Sequence, residues 1–296
     1  MDSSGCTVQP CALKVRGVGV LGKVNRARVA RYVIGLLRLL DEHSMRYVID
    51  DSLKEVLTDV KYERFKKPEE FPPWADLLVI FGGDGTILRA VHTVPLITER
   101  FILGVNVGTV GFLTEIDPER LNEAVLHVLK GGEVYVERSR LLSSSLDGKR
   151  EFHMLNELMV VSSSFGRVMT FEIYKDDATI YRGSADGLVI STRTGSTAYI
   201  ASLGGPVVDP EVELLLLSLL CPLRWGFRPM ILPPWARIKV KVLRPGGRII
   251  GDGIELTTIK GSFMIGVRLS NRRVNFIRFS KNSFYNRLNR RLSMEI

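Results

Sequence analysis

Leu77-Leu78-Val79-Ile80-Phe81-Gly82-Gly83-Asp84-Gly85-Thr86-Ile87-Leu88-Arg89-Ala90-Val91 reads as a strand, a turn and a helix in immediate succession. The apolar run before Gly82 suits a buried strand, and the residues after Thr86 suit a helix. Three of the four residues from Gly82 to Gly85 are glycine, which leaves the turn almost bare of side chains. A phosphate can approach such a backbone closely, and amide N–H groups at a helix start can hold it. Asp84 is the one acid in the turn. A carboxylate beside a phosphate is electrostatically awkward unless it has a task. It can coordinate Mg²⁺ or accept a proton from an attacking hydroxyl. The plainer alternative is a strand-to-helix turn whose aspartate caps the helix.

On either side of this stretch, strands and helices alternate. Residues 14–21 read as a strand, and 26–40 as a helix with Val29, Val33, Leu36, Leu37 and Leu40 at helical spacing. A second strand follows at 47–49, a proline-bearing surface loop at 61–73, and another strand at 101–105. A helix from about 118 to 130 opens on Asp117-Pro118. This alternation predicts a parallel sheet with helices on its faces, and ligands on such sheets bind outside the carboxyl ends of the strands. Residues 1–11 carry no useful pattern and are expected to form a loose tail.

The texture changes after Gly131-Gly132. Short strands are predicted at 134–136, 157–161, 169–174, 179–181, 188–190, 238–242, 248–250, 263–267 and 273–279. Turn residues such as Asp147-Gly148, Asp176-Asp177 and Pro245-Gly246-Gly247 separate them. The second region is therefore β-rich, with two packed sheets and a boundary near residue 137.

The chain has 296 residues, 45% of them hydrophobic, and a formal net charge of +9. That suffices for two cores and points to an anionic partner, without choosing among nucleotide, nucleic acid and membrane. Much of the positive charge is late, in Arg268, Arg272, Arg273, Arg278, Arg287, Arg290 and Arg291, and a solvated basic face is the favoured account. No aromatic-interleaved basic motif supports nucleic-acid binding. Cys6, Cys11 and Cys221 have neither disulfide nor zinc spacing. The longest apolar run, 214–220, is too short to span a bilayer and reads as a buried helix or strand. No signal peptide heads the chain. A soluble, cytoplasmic protein is expected.

Gly17, Gly19 and Gly22 spell G-x-G-x-x-G, but the acid that should end the second strand about 20 residues on is missing. With Lys23 the same stretch approaches a phosphate-binding loop, yet Val24 stands where a hydroxyl must touch the metal. Strand-to-helix packing is the better account of these glycines. Gly104, Asn106, Gly108, Gly111 and Phe112 lie in a loop able to pass close to a ligand. Asn156-Glu157 interrupts a strand pattern with an amide and a carboxylate suited to sugar hydroxyls. Asp186 opens a strand that runs into Thr194-Gly195-Ser196-Thr197-Ala198-Tyr199, where hydroxyls, amides and an aromatic ring can grip a polar ligand. Gly251-Asp252-Gly253 is a hairpin turn or a further ligand contact.

Taken together these motifs resemble the NAD kinase family over most of the chain, from about residue 14 to 279. G-G-D-G-T alone is shared with diacylglycerol, sphingosine and phosphofructokinases. The combination with N-x-G-x-x-G-F at Asn106, N-E at Asn156 and D-G-x-x-x-S-T-x-T-G-S-T-A-Y at Asp186 is specific to NAD kinases. The resemblance implies an α/β fold with a Rossmann-like first domain (12–137, rejoined by 271–296) and a β-sandwich second domain (138–270), the dinucleotide between them. It implies Asp84 as general base on the adenosine ribose 2′-hydroxyl of NAD, with Gly82, Gly83, Gly85 and Thr86 holding the donor phosphates. Gly85, Arg89, Phe112, Asn156, Glu157, Asp186, Thr197, Ala198, Tyr199 and Ser202 are implied as the NAD site, in part from a neighbouring subunit. Mg²⁺ with ATP or polyphosphate would be the donor, with no dedicated protein metal site, and the assembly a homodimer or homotetramer. The chain departs from the family pattern at Arg193, usually proline and expected to add a cation at the site rim, and at Ala201, Leu203 and Leu223. Asp252-Gly253 also lacks the usual following residue. A lipid or sugar kinase with the same glycine loop, and a non-catalytic NADP sensor, are the rival readings.

Overall fold

The computed structural model describes residues 8–22, 27–58, 60–109, 111–164, 166–224, 226–244 and 246–293. They gather into two compact units: residues up to Arg138 together with those from Val274 on, and Ser139–Arg273.

The first unit is built on a parallel sheet. Strand β1 (Val8–Ala12) stands apart from it, and the sheet proper begins with β2 (Val18–Gly22), helix α1 (Ala27–Glu42), β3 (Tyr47–Asp50) and β4 (Phe65–Lys66). It continues with β5 (Leu77–Gly82), helix α2 (Asp84–Thr93), β6 (Phe101–Asn106) and helix α3 (Leu121–Leu129). Strands β2 and β5 are buried along their whole length. The apolar stripe of α1, Val33, Leu36, Leu37 and Leu40, packs in one cluster with Val125 and Val128 of α3. Strand β2 pairs with β3 on one side and β5 on the other, so the chain reverses its direction of travel across the sheet at that point. Such a switch leaves a crevice at the carboxyl ends of the two strands. Gly22 lies opposite Phe81 there, and Gly82 lies opposite Asn106 of β6.

Three expectations are corrected in this unit. Residues 8–12, placed in a loose tail, form a strand paired antiparallel with residues 133–137. The loop at 61–73 contains β4, which extends the sheet from β3. The early glycines are packing residues, but their neighbours belong to a strand and a loop rather than a helix. A Cβ on Gly17 would lie 2.4 Å from Trp74, on Gly19 2.7 Å from Leu78, and on Gly22 2.9 Å from Phe81. Lys23 and Val24 lie outside the described residues.

The second unit is a sandwich of antiparallel strands. Strand β7 (Glu133–Leu146) enters it from the first unit and forms a hairpin with β8 (Arg150–Met154). Then come β9 (Glu157–Ser162), β10 (Met169–Lys175), β11 (Ala178–Ala185), β12 (Gly187–Thr192), β13 (Leu215–Leu220) and β14 (Met230–Leu232). They are followed by β15 (Ile238–Arg244), β16 (Gly246–Gly251), β17 (Ile254–Lys260) and β18 (Phe263–Arg278). One sheet runs β11-β10-β15-β18 and the other β14-β13-β12-β9-β16-β17. Phe171, Ile173, Val240 and Ile265 of the first meet Leu158, Val160, Leu188, Ile190, Leu215 and Leu217 of the second in one buried cluster. The apolar run at 214–220 is thus a strand. It is apolar on both faces because Leu216, on the outer face, is covered by Ile200, Val208 and Leu214. Asp252-Gly253 have φ of 49° and 79°, as a two-residue hairpin turn requires, and Asp147-Gly148, in the three-residue connection from β7 to β8, have 48° and 71°. Gly246 and Gly247, expected in a turn, begin β16 instead; Pro245 lies outside the described residues.

The chain ends back in the first unit. Asn275 and Phe276 of β18 pair parallel with β6, and helix α4 (Ser283–Ser293) follows.

Candidate functional site

Asp84 is the first residue of α2, and the residue at the cap position is Gly83. The capping alternative is therefore excluded. The Asp84 carboxylate instead accepts the backbone N–H of Phe112 at 2.9 Å and of Leu113 at 2.9 Å, one on each oxygen. Gly111 makes this possible: a Cβ there would lie 2.2 Å from an Asp84 oxygen. The last glycine of the Asn106 motif is thus required by the aspartate of the first motif.

The three glycines around Asp84 differ in kind. A Cβ on Gly82 would lie 2.2 Å from the Thr86 hydroxyl, so Gly82 admits the first turn of α2 against the end of β5. A Cβ on Gly83 or Gly85 would meet nothing within 4 Å. Gly83 has φ of −108°, a value open to any residue. Neither packing nor backbone geometry within the chain calls for glycine at these two places, which flank the carboxylate on the open side of the turn. Arg89, one turn along α2, is half exposed and lies 3.8 Å from the buried carboxylate of Asp50 at the end of β3. Burial pushes the Asp50 carboxyl above the usual range. At the end of β6 a cavity of about 240 Å³ is lined by Asn106, Gly108, Val29, Tyr32 and Glu119 among others.

The second unit holds its own polar cluster. The carboxylate of Asp252, in the hairpin turn, accepts the N–H groups of Leu155 at 2.7 Å, Asn156 at 2.7 Å and Glu157 at 3.2 Å. The 252 turn is therefore a hairpin whose side chain fixes the Asn156-Glu157 backbone. Thr192 N–H donates to the Asn156 carbonyl at 2.8 Å, and the Thr192 hydroxyl to the Leu155 carbonyl at 2.6 Å. The single turns at Thr194–Thr197 and Tyr199–Leu203 follow directly. Gly195 lets the first of them press on Asn156, since a Cβ would lie 2.4 Å from its carbonyl oxygen. The Tyr199 N–H reaches Glu157. Asn156 Oδ1, Glu157 Oε2 and Thr194 Oγ1 are buried without a hydrogen-bond partner among the described residues. Burial, with the Asp252 charge next in weight, raises the Glu157 carboxyl from 4.5 to about 8.

Asp186 is not part of this cluster. It precedes β12, where its backbone carbonyl accepts the Ser162 N–H at 3.0 Å, while Asn156-Glu157 lie opposite the far end of that strand. About five residues of strand, roughly 17 Å, separate them. Ala198 and Thr197 are half-buried beside Tyr199, and Ser202 is exposed. Arg193, expected at the rim, is buried in the second unit, with its guanidinium on the Pro210 carbonyl and 4.0 Å from Glu213. Leu223 is exposed.

The late arginines are not all a solvated face. Arg278 and Arg287 are buried in the first unit against Glu115 and Glu137. Sequence reasoning put the two arginines on a solvated face and missed Glu115 and Glu137; the available signal was Glu115 within Phe112-Leu113-Thr114-Glu115-Ile116. Among the described residues no group of three or more His, Cys, Asp or Glu is arranged to hold a metal ion, and no helix is long and apolar enough to cross a membrane.

Two family profiles match the chain: ATP-NAD kinase N-terminal domain over residues 18–134, and ATP-NAD kinase C-terminal domain over residues 155–279. The chain belongs to the NAD kinase family. It is 34% identical to the NAD kinase of Methanothermobacter thermautotrophicus over 281 residues, covering 93% of this chain and 95% of that one. With the NAD kinase of Thermococcus kodakarensis it shares 32% over 266 residues, covering 89% and 94%. Among solved structures it is similar to an NAD kinase from Archaeoglobus fulgidus in complex with ATP. The TM-score is 0.72 at 26% identity, over 92% of this chain and 97% of that one. A yeast NADH kinase complexed with NADH shares the fold, with a TM-score of 0.85 at 24% identity over 95% and 88%. The α/β first unit and β-sandwich second unit are thus those of NAD kinases, and the chain is an enzyme of that family.

Proposed function

We propose that this NAD kinase family member transfers the terminal phosphoryl group of ATP or polyphosphate to the adenosine ribose 2′-hydroxyl of NAD, giving NADP. One observation carries the reading. Asp84 is clasped by two backbone N–H groups, while a Cβ on Gly83 or Gly85, on either side of it, would meet nothing within 4 Å. A phosphate chain needs bare backbone at a helix start, and an attacking hydroxyl needs a fixed carboxylate.

In this reading residues 82–86 receive the donor phosphates. Asp84 orients the hydroxyl and accepts its proton; a carboxylate has about four acceptor positions, so two backbone N–H groups leave room for it. Phosphoryl transfer passes through a loose transition state, and the protein's part is chiefly positioning and charge stabilisation. Mg²⁺ is commonly held by one or two carboxylates plus phosphate oxygens, which fits Asp84 at the turn; bound, it would offset the phosphate charge. Asn156, Glu157, Thr197, Ala198, Tyr199 and Ser202 grip the dinucleotide, with the unpaired oxygens of Asn156 and Glu157 taking its polar groups. Arg89 and Phe112 serve the nucleotide from the first unit. Asp186, remote from that cluster in its own chain, serves the site of a second copy in a cytoplasmic homodimer or homotetramer. ATP is the favoured donor, because a family member 26% identical binds it.

Purified protein is incubated with NAD and either ATP or polyphosphate, and NADP is scored with a dehydrogenase that accepts only NADP. NADP formation with ATP is expected; none with either donor refutes the reading. Mixing Asp84→Asn with Asp186→Ala subunits should restore activity that neither has alone, and absence of recovery removes the shared site.

A further inference from the structure

The loop that clasps Asp84 is itself clasped from its other end. Glu115 is the centre. Its side chain, only 5% exposed, accepts the Phe279 N–H at 2.9 Å, the Ser283 hydroxyl at 2.7 Å, Arg278 Nη1 at 3.3 Å and Arg287 Nη1 at 2.7 Å. All four donors come from the end of β18, the residue that follows it, and α4. Arg278 Nη1 also donates to the Leu113 carbonyl at 3.1 Å, and its Nε to Glu137 at 2.7 Å. Arg287 Nη2 lies 3.9 Å from Glu137. Phe284 of α4 packs its ring 6.1 Å from that of Phe112. Leu113 is therefore bound on both sides: its N–H to Asp84 and its carbonyl to Arg278.

A buried set of two arginines and two glutamates is a poor device for stability alone. Desolvation offsets most of the ionic attraction, and apolar residues would serve as well. Its worth is geometric, because charge-assisted bonds hold direction as well as distance. Arg287 also lies close enough to Asp84 for that carboxylate's charge to act on it. Burial and the neighbouring Arg278 bring its guanidinium down to about 10, so it is still charged at neutral pH.

We propose that Arg287 and Glu115 are positioning residues for the Asp84 base, and that the C-terminal helix acts through them to hold the Phe112 and Leu113 amides against its carboxylate. The proposal rests on Asp84 being the base of the reaction proposed above.

The test uses the full chain in three forms. Arg287→Gln breaks the link; Glu115→Gln with Arg287→Gln breaks it while keeping the buried set neutral, so folding is preserved; Arg287→Lys restores a cation. Hydrogen exchange at the Phe112 and Leu113 amides should quicken by about tenfold or more, the loss of a charge-assisted bond, while β5 amides keep their protection. In turnover, kcat should fall by about tenfold or more with KM for NAD held within about threefold, the sign of an interaction used chiefly after binding. Arg287→Lys should recover part of both losses. Unchanged exchange at residues 112 and 113 overturns the proposal. So does equal loss of protection in β5, which marks a structural role only, or Arg287→Lys behaving no better than Arg287→Gln. If the unaltered chain forms no NADP, the functional reading fails, and the exchange measurement still decides whether the helix holds the clasp.

Discussion

Glu157→Gln tests the electrostatics of the second unit's cluster. The folded protein holds Glu157 at about 8 against 4.5 for the free side chain, chiefly because the carboxyl is buried and secondarily because Asp252 is close. Between those values the folded chain keeps a proton that the unfolded chain has released. Stability therefore falls as pH rises from about 4.5 to about 8 and levels off above. The whole displacement is worth at most ~5 kcal/mol. Over the accessible window from about pH 5.5 to 8.5 the same arithmetic leaves up to ~3 kcal/mol, or roughly 10 °C in Tm for a chain of this size. Glutamine keeps an oxygen for the Tyr199 N–H and carries no charge to oppose Asp252, so the variant should lose this slope. Urea unfolding of both proteins at the two pH values gives the comparison, and their difference cancels every other titrating group. Parallel pH dependence in the two would refute the assignment of a buried, neutral Glu157.

Asp84→Asn should lower kcat by about a hundredfold or more while the NAD dissociation constant, read by calorimetry, moves by less than about threefold. Gly85→Ala should leave the thermal midpoint level or raise it slightly, since the position is helical and open, yet raise KM for the phosphate donor by about tenfold, as expected where only a ligand needs the bare backbone. Asp252→Ala removes the acceptor of three buried N–H groups and should cost about 2–4 kcal/mol in denaturant unfolding. It should also weaken NAD binding through the displaced Asn156-Glu157 backbone; unaltered NAD binding would detach the clasp from the site.

What could be read along the chain was local. The apolar run before Gly82, the bare turn and the helix after it announced a strand–turn–helix, because burial and glycine's freedom act on neighbours in sequence. The stripe of α1 and the short strands after Gly131-Gly132 were legible for the same reason. The type of the 214–220 run was not. Six of its seven residues are leucine whichever element they form, and only cover on both faces, by the sandwich core and by Ile200 and Val208, accounts for a strand over Leu215–Leu220.

The site residues divide in the same way. Which side chains carry chemistry was visible in motif composition: a lone acid among glycines, an amide-carboxylate pair in a strand. Why those motifs keep their glycines was not, since Gly111 answers to Asp84 and Gly195 to Asn156, each partner more than twenty residues away in sequence. Arg193 and Arg287 read as surface cations because charge belongs in water. The folded chain buries both, and the carboxylates and carbonyls that permit it come from segments that only tertiary structure brings alongside.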